Sequence, residues 1–219
     1  MKFNKLSAYK IRKILAVFAK DLNASVAAEL LKLNRNTINR YYSLFRKAIF
    51  QQSLQILEKE LGIFEADESY FGARRVRGLG GRGAAGKTPV FGLLKRGGNV
   101  FVSLVKNCSK EELMPIIRGN ILEGSTIHTD GWKAYDGLIL NGYEHYRVYH
   151  AKHEFARGKS HVNGIESFWS FSKRRLAKFN GISGRQFFLH LKECEFRFNH
   201  RHDNLEKTLR KLMRKKGIC

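Results

Sequence analysis

Three acids stand out in a chain of net charge +22, where 41 Lys and Arg face 19 Asp and Glu over 219 residues. Asp67 lies in a strand-like run from Ile63 to Phe71, Asp130 ends a second run that begins at Ser125, and Glu166 rides a helical stretch from Asn163 to Trp169. Between Asp130 and Glu166 lie 35 residues. Magnesium prefers oxygen ligands and is commonly held by a few carboxylates together with substrate phosphate. Two such ions about 4 Å apart can activate the attacking oxygen and stabilise the departing oxygen of an in-line phosphodiester cleavage. The expected chemistry is metal-dependent cleavage of a polyanion.

Each acid also has an ordinary reading. Glu65 shares the strand face of Asp67 and Glu68 adjoins it, so either could be the ligand instead or a solvated charge. Asp130 could cap a helix beginning near Trp132, and Glu166 could pair with a surface cation. Helical geometry favours function for Glu166. Steps of three, four and three align Asn163, Glu166, Ser170 and Lys173 on one face, while Ile165, Phe168, Trp169 and Leu176 form an apolar face. Glu166 and Lys173 are then stacked two turns apart, one suited to a metal and one to a phosphate. His150 and His153 precede this helix. His153 is either a neighbour of the scissile phosphate or a solvated loop residue.

The elements that must position these groups can be read from periodicity. Ile11, Ile14, Leu15 and Phe18 make one amphipathic helix. Asn23 offers a cap for a short helix over 26–31, a tight turn follows at Lys32–Asn34, and a second helix runs from Arg35 to about Phe45. Ile38, Tyr41, Tyr42 and Phe45 face inward, which leaves Arg35, Asn36, Asn39 and Arg40 outside near the N-terminus. This is a helix-turn-helix pattern, whose second helix enters a major groove where Arg reads guanine and Asn reads adenine.

From Ile63 the period becomes that of strands: 63–71, then 90–94 and 100–105 about a glycine turn. Ser109 and Glu112 suggest a capping box opening a helix to about Ile121. A strand ending at Asp130, a helix near 132–140, a short strand at 146–149, helices over 162–178 and 184–200, and a basic tail complete the order. Three strands in a meander followed by alternating helices and strands give an α/β class. The expected fold is an RNase H-like core, a mixed sheet flanked by helices, with an N-terminal all-α helix-turn-helix region. Residues 1–60 are expected to bind DNA and 61–219 to form the catalytic domain.

The stretch 72–88 carries Arg74, Arg75, Arg77, Arg82 and Lys87 and no acid, as suits a loop lying along a DNA backbone. Within it, Gly81 to Thr88 matches G-x-x-x-x-G-K-[ST]. A phosphate loop needs a helix leading out, and Pro89 with a strand-like run comes instead, so no nucleotide is expected. Cys108, Cys194 and Cys219 are too few and scattered for disulfides or a zinc knuckle. His190 and Cys194, four apart on a helix, are read as packing rather than zinc ligands. No apolar run approaches the ~18 residues that span a bilayer, so a cytoplasmic protein with no membrane partner is expected. A pI near 10.2 makes nucleic acid the leading partner.

Four stretches resemble the DDE transposases of bacterial insertion sequences, of the compact ISXO type: Glu65–Gly72, Gly83–Gly92, Thr129–Tyr135, and His161–Ser170 with Lys173. They span most of residues 63–200, and the last is the most specific. The resemblance implies a metal-binding triad of Asp67, Asp130 and Glu166, Lys173 as the associated basic residue, and Mg²⁺ as cofactor, with Mn²⁺ able to substitute. It also implies cutting and joining of double-stranded DNA at terminal inverted repeats and in a target, by a homodimer in the synaptic complex, at the bacterial nucleoid. Some relatives place Asn at the third acid, which makes Asn163 a secondary candidate. Larger relatives carry a zinc ribbon that has no counterpart here. Two rival readings are a non-catalytic repressor derived from a transposase and a structure-specific nuclease of the same fold.

Overall fold

A computed structural model describes residues 6–54, 59–72, 86–130, 133–148, 162–179 and 181–218. They fall into two compact units, one built from both ends of the chain (residues 1–56 and 178–219) and one from its middle (57–177).

The middle unit is a five-stranded sheet in the order β3-β2-β1-β4-β5, formed by β1 (Ile63–Phe71), β2 (Thr88–Lys95), β3 (Val100–Leu104), β4 (Thr126–Asp130) and β5 (Glu144–Val148). β1 pairs antiparallel with β2 and β2 with β3, whereas β1–β4 and β4–β5 are parallel. This meander followed by a parallel half is the RNase H-like core expected from the element order. β1 is central and buried on both faces. Phe64 and Ala66 point into an apolar core shared with Leu113 and Ile117 of α4 (Lys110–Asn120) and with Tyr135 and Leu138. Glu65, Asp67 and Phe71, at alternate positions, face α5 (Asn163–Ala177), which packs on β1 and β2.

Two local expectations in this unit are corrected. Ser109 and Glu112 do not form a capping box: Asn107 Oδ1 takes the Ser109 N–H at 2.9 Å, and the Glu112 carboxylate accepts from Lys106 N instead. The helix expected near 132–140 is two separate 3₁₀ turns, Lys133–Tyr135 and Ile139–Asn141. Gly137 interrupts between them, and its carbonyl accepts from the Asn141 side chain at 2.7 Å.

The other unit is helical. It comprises α1 (Ala8–Ala19), α2 (Ala24–Leu31), α3 (Arg35–Ser53), α6 (Gly184–Asn199) and α7 (Leu205–Lys215). Asn23 caps α2 by accepting from Val26 N at 2.9 Å, and Lys32 ends it in the left-handed region at φ 50°. Asn34 then caps α3 through Asn36 N at 2.8 Å. α3 runs eight residues beyond Phe45 because Ala48 and Ile49 continue its buried face. Leu209, Leu212 and Met213 of α7 and Phe196 of α6 share one core with Ile14, Phe18, Ile38 and Phe45.

The compact units thus differ from the single division expected near residue 60: the apolar faces of residues 178–218 pack with the N-terminal helices, and the stretch expected as a basic tail contains the amphipathic helix α7.

Candidate active site

The parallel register of β1 and β4 pairs Ala66 with Thr129, so the next residues, Asp67 midway along β1 and Asp130 at the end of β4, lie side by side on neighbouring strands. Adjacent strands lie about 5 Å apart. Both acids line an open cavity of about 330 Å³ together with Glu68, Lys87, Cys108 and Lys173.

α5 is fastened to β1 by two hydrogen bonds that it donates. Glu65, 1% exposed, accepts from Ile165 N at 3.0 Å with one oxygen and from Arg96 Nε at 3.0 Å with the other. Trp169 adds the second, its indole N–H donating to Asp67 Oδ2 at 3.0 Å. This approach needs two glycines. A Cβ on Gly92, which sits opposite Asp67 on β2, would come within 2.6 Å of the Trp169 ring, and one on Gly164 within 2.3 Å of Leu94. Glu166 lies one helical turn before Trp169, and its charge acts on Asp67. Asn163, Glu166, Ser170 and Lys173 are all exposed along α5. The Lys173 ammonium lies 5.8 Å from the centre of the Phe71 ring.

Burial raises the Asp67 carboxyl to about 6, and the charges of Asp130 and Glu166 push the same way. Glu68 is raised to about 7, again mainly by burial, with Asp67 and Asp130 adding to it. The Tyr135 hydroxyl donates to Glu68, which lowers it in part. Tyr135 is itself raised well above the phenol range by burial and by that carboxylate. Cys108, raised by burial, shares a 3.2 Å contact with the Tyr70 hydroxyl at the cavity edge.

The donor set is made of oxygens and suits a hard divalent cation. Among the described residues, no three His, Cys, Asp or Glu side chains converge tightly enough to hold an ion as they stand. Asp67 and Asp130 are adjacent, and Glu166 is within electrostatic reach rather than within a closed cluster.

The other sequence candidates are placed as follows. Arg35, Asn36, Asn39 and Arg40 are exposed at the start of α3 in the helical unit. Lys87 lines the cavity, whereas Arg74, Arg75, Arg77, Arg82 and His153 lie outside the described residues. Thr88, next to Lys87, opens β2, so the segment matching a phosphate loop leads into a strand.

Trp169 and Glu65 were not singled out for the roles they take. Trp169 reads as core, and it is 5% exposed. The signal for more was its indole N–H, which a buried Trp must satisfy. Glu65 gives no local signal, because its partner lies 100 residues away.

A family model of the ISXO2-like transposase domain matches residues 60–199, which includes every strand, α4, α5 and the whole of α6. The chain belongs to this transposase family. A transposase-like protein of Haemophilus influenzae is 43% identical over 101 residues, covering 46% of this chain and 81% of its own. A protein in the transposable element ISH50 of Halobacterium salinarum is 32% identical over 197 residues, covering 81% of this chain and 66% of its own. The first relative matches less than half of this transposase; the second is matched over just under two thirds of its length. Among solved structures, the Mos1 transposase paired-end complex with left transposon end aligns over 95% of this chain and 81% of that one, at 12% identity and TM-score 0.30. The Mos1 mariner paired end complex with Mn also scores 0.30, at 11% identity, over 99% and 81%. Scores this low add nothing to what strand order and register establish. No described helix of the transposase is long and apolar enough to cross a membrane.

Proposed function

We propose that this transposase binds the inverted repeats at element ends, cleaves a DNA strand to free a 3′-hydroxyl, and joins that hydroxyl to target DNA. The observation that supports the reading is the side-by-side position of Asp67 and Asp130 on parallel strands, with α5, which carries Glu166, fastened to β1. In this reading Asp67, Asp130 and Glu166 hold Mg²⁺, and Mn²⁺ substitutes. A bound divalent cation would supply charge stabilisation to the attacking and leaving oxygens.

The chain's own groups do the rest. Trp169 fixes the rotamer of Asp67 by donating to Oδ2. Lys173 and Lys87, both lining the cavity, orient the scissile phosphate by charge. The first step adds water to phosphorus and releases the 3′-oxygen, which takes up a proton. The second adds that 3′-hydroxyl to a target phosphodiester and expels the target's 3′-oxygen. Asn163 lies on the same α5 face and would contact DNA beside Glu166. In the helical unit, Arg35, Asn36, Asn39 and Arg40 read the major groove. Arg74, Arg75, Arg77 and Arg82 follow the backbone. Pairing two ends calls for a homodimer on DNA, and an enzyme acting on chromosomal DNA belongs at the nucleoid.

The test is incubation with duplexes carrying candidate element ends, with and without Mg²⁺. The wild type is expected to nick and, given pre-cleaved ends, to join them. Asp67→Asn and Glu166→Gln should lose at least about 10³-fold in cleavage, on the scale of removing a principal charge-stabilising group, yet retain binding. Metal-dependent nicking by either variant at the wild-type rate would overturn the assignment. Cutting without joining would identify a nuclease, and binding without cutting a repressor.

A further inference from the structure

α7 carries a feature that the active-site reading leaves unused. Leu209, Leu212 and Met213 are buried against the helical core, with α1 and α3 as neighbours. Lys207, Arg210, Lys211, Arg214 and Lys215 are all exposed. Steps of three, one, three and one residues gather these cations into a stripe opposite the buried leucines. The stripe spans about 12 Å of helix, a length over which duplex DNA presents roughly seven phosphate charges. Glu206 is the one acid in the helix, and it pairs with Arg210 at 2.6 Å.

We propose that this outer face of α7 is a contact for the phosphate backbone of duplex DNA, separate from the base-reading candidates at the start of α3 and indifferent to sequence. The proposal rests on the DNA-binding reading above. A bilayer surface is the wrong partner, because an interfacial amphipathic helix must insert its apolar face, and here that face is already committed to the protein core. An acidic protein surface is a poorer match. Such interfaces centre on apolar or aromatic anchors, and none of the exposed large hydrophobics belongs to α7. A linear array of guanidinium and ammonium groups without anchors suits a polyanion whose charges repeat along an axis.

The test uses the full chain with Lys207, Arg210, Lys211 and Arg214 all replaced by Gln, a good helix former that leaves the buried face intact. An unchanged circular dichroism spectrum and melting temperature establish that the variant folds. Affinity is then measured on an element-end duplex and a random duplex of equal length, from 50 to 200 mM salt. Each lost phosphate contact lowers the slope of log K against log salt by about 0.9. With two or three of the four side chains on phosphates, the variant should show a slope shallower by roughly 2–3 and bind both duplexes on the order of 10²- to 10³-fold more weakly at 100 mM salt, with the end-to-random ratio unchanged. Should the slope match the wild type, the proposal is wrong; selective loss of binding to phosphatidylserine vesicles would redirect the face to membranes. A changed end-to-random ratio would equally overturn it, because α7 would then be reading sequence. If the wild type bound neither duplex, the DNA-binding reading itself would fall.

Discussion

Asp67 is the residue on which the candidate chemistry turns, and without a cation its environment is unfavourable to charge. Folding raises it to about 6 and Glu68 to about 7, against about 4 for carboxyls in an unfolded chain. The native state therefore holds protons that the unfolded chain gives up. For such raised carboxyls the stability contribution is greatest below about pH 4, falls as pH rises through 6 and 7, and then levels off. In EDTA, Asp67→Asn should consequently gain stability over the wild type as pH rises from 4 to 7, by about 2–3 kcal/mol at neutral pH. Paired thermal melts across that range would show it, and a gap that stayed constant with pH would contradict the assigned cause. These acids could be picked out from sequence because carboxylates are scarce in a chain of net charge +22. The task of Glu65 could not. A carboxylate that anchors a distant helix and the proposed metal ligand occupy the same strand face two residues apart, and only the fold separates them.

The α5–β1 pair is a single device, two N–H groups of α5 donating to two carboxylates of β1 at a close approach that glycine permits. Gly92→Ala places a methyl group 2.6 Å from the Trp169 ring, so either the indole leaves Asp67 or the helix lifts from the sheet. The expected cost is about 1–3 kcal/mol of stability. Cleavage should fall much further than that modest loss implies, while end binding by the helical unit is unchanged. Melting curves, nicking rates and duplex affinity measured on one preparation would separate the three; wild-type nicking would show that the indole bond does not matter. Strands were readable here from alternation and turn residues, as β1 and its neighbours illustrate. What periodicity could not resolve was competition between short-range partners. Asn107 takes the amide that a capping box requires, and the stretch near 132–140 forms two 3₁₀ turns although its apolar spacing suits one helix.

At the scale of the molecule, the chain leaves its helical unit before β1 and returns to it after α5. The return is sealed by buried charge. Glu193 accepts from Arg46 Nε at 2.7 Å and from Arg197 Nε at 2.8 Å, and Arg197 also donates to the Phe18 and Ala19 carbonyls. Removing the carboxylate charge would leave two buried guanidinium groups poorly compensated. Glu193→Gln should destabilise the helical unit by about 3–5 kcal/mol, read as an earlier transition in the far-ultraviolet dichroism melt. An unshifted transition would mean that the apolar core alone holds the ends together. Sequence reading divides the chain once, near residue 60, because the hydrophobic period changes from helical to strand-like there; it holds no local sign that α6 and α7 belong with the N-terminal helices. This arrangement bears on biosynthesis. Phe18 and Phe45 emerge from the ribosome long before Phe196, Leu209 and Met213 can cover them. Every nascent or prematurely terminated product therefore displays a greasy, unfinished helical bundle, a substrate for chaperones and proteases rather than a competitor for element ends.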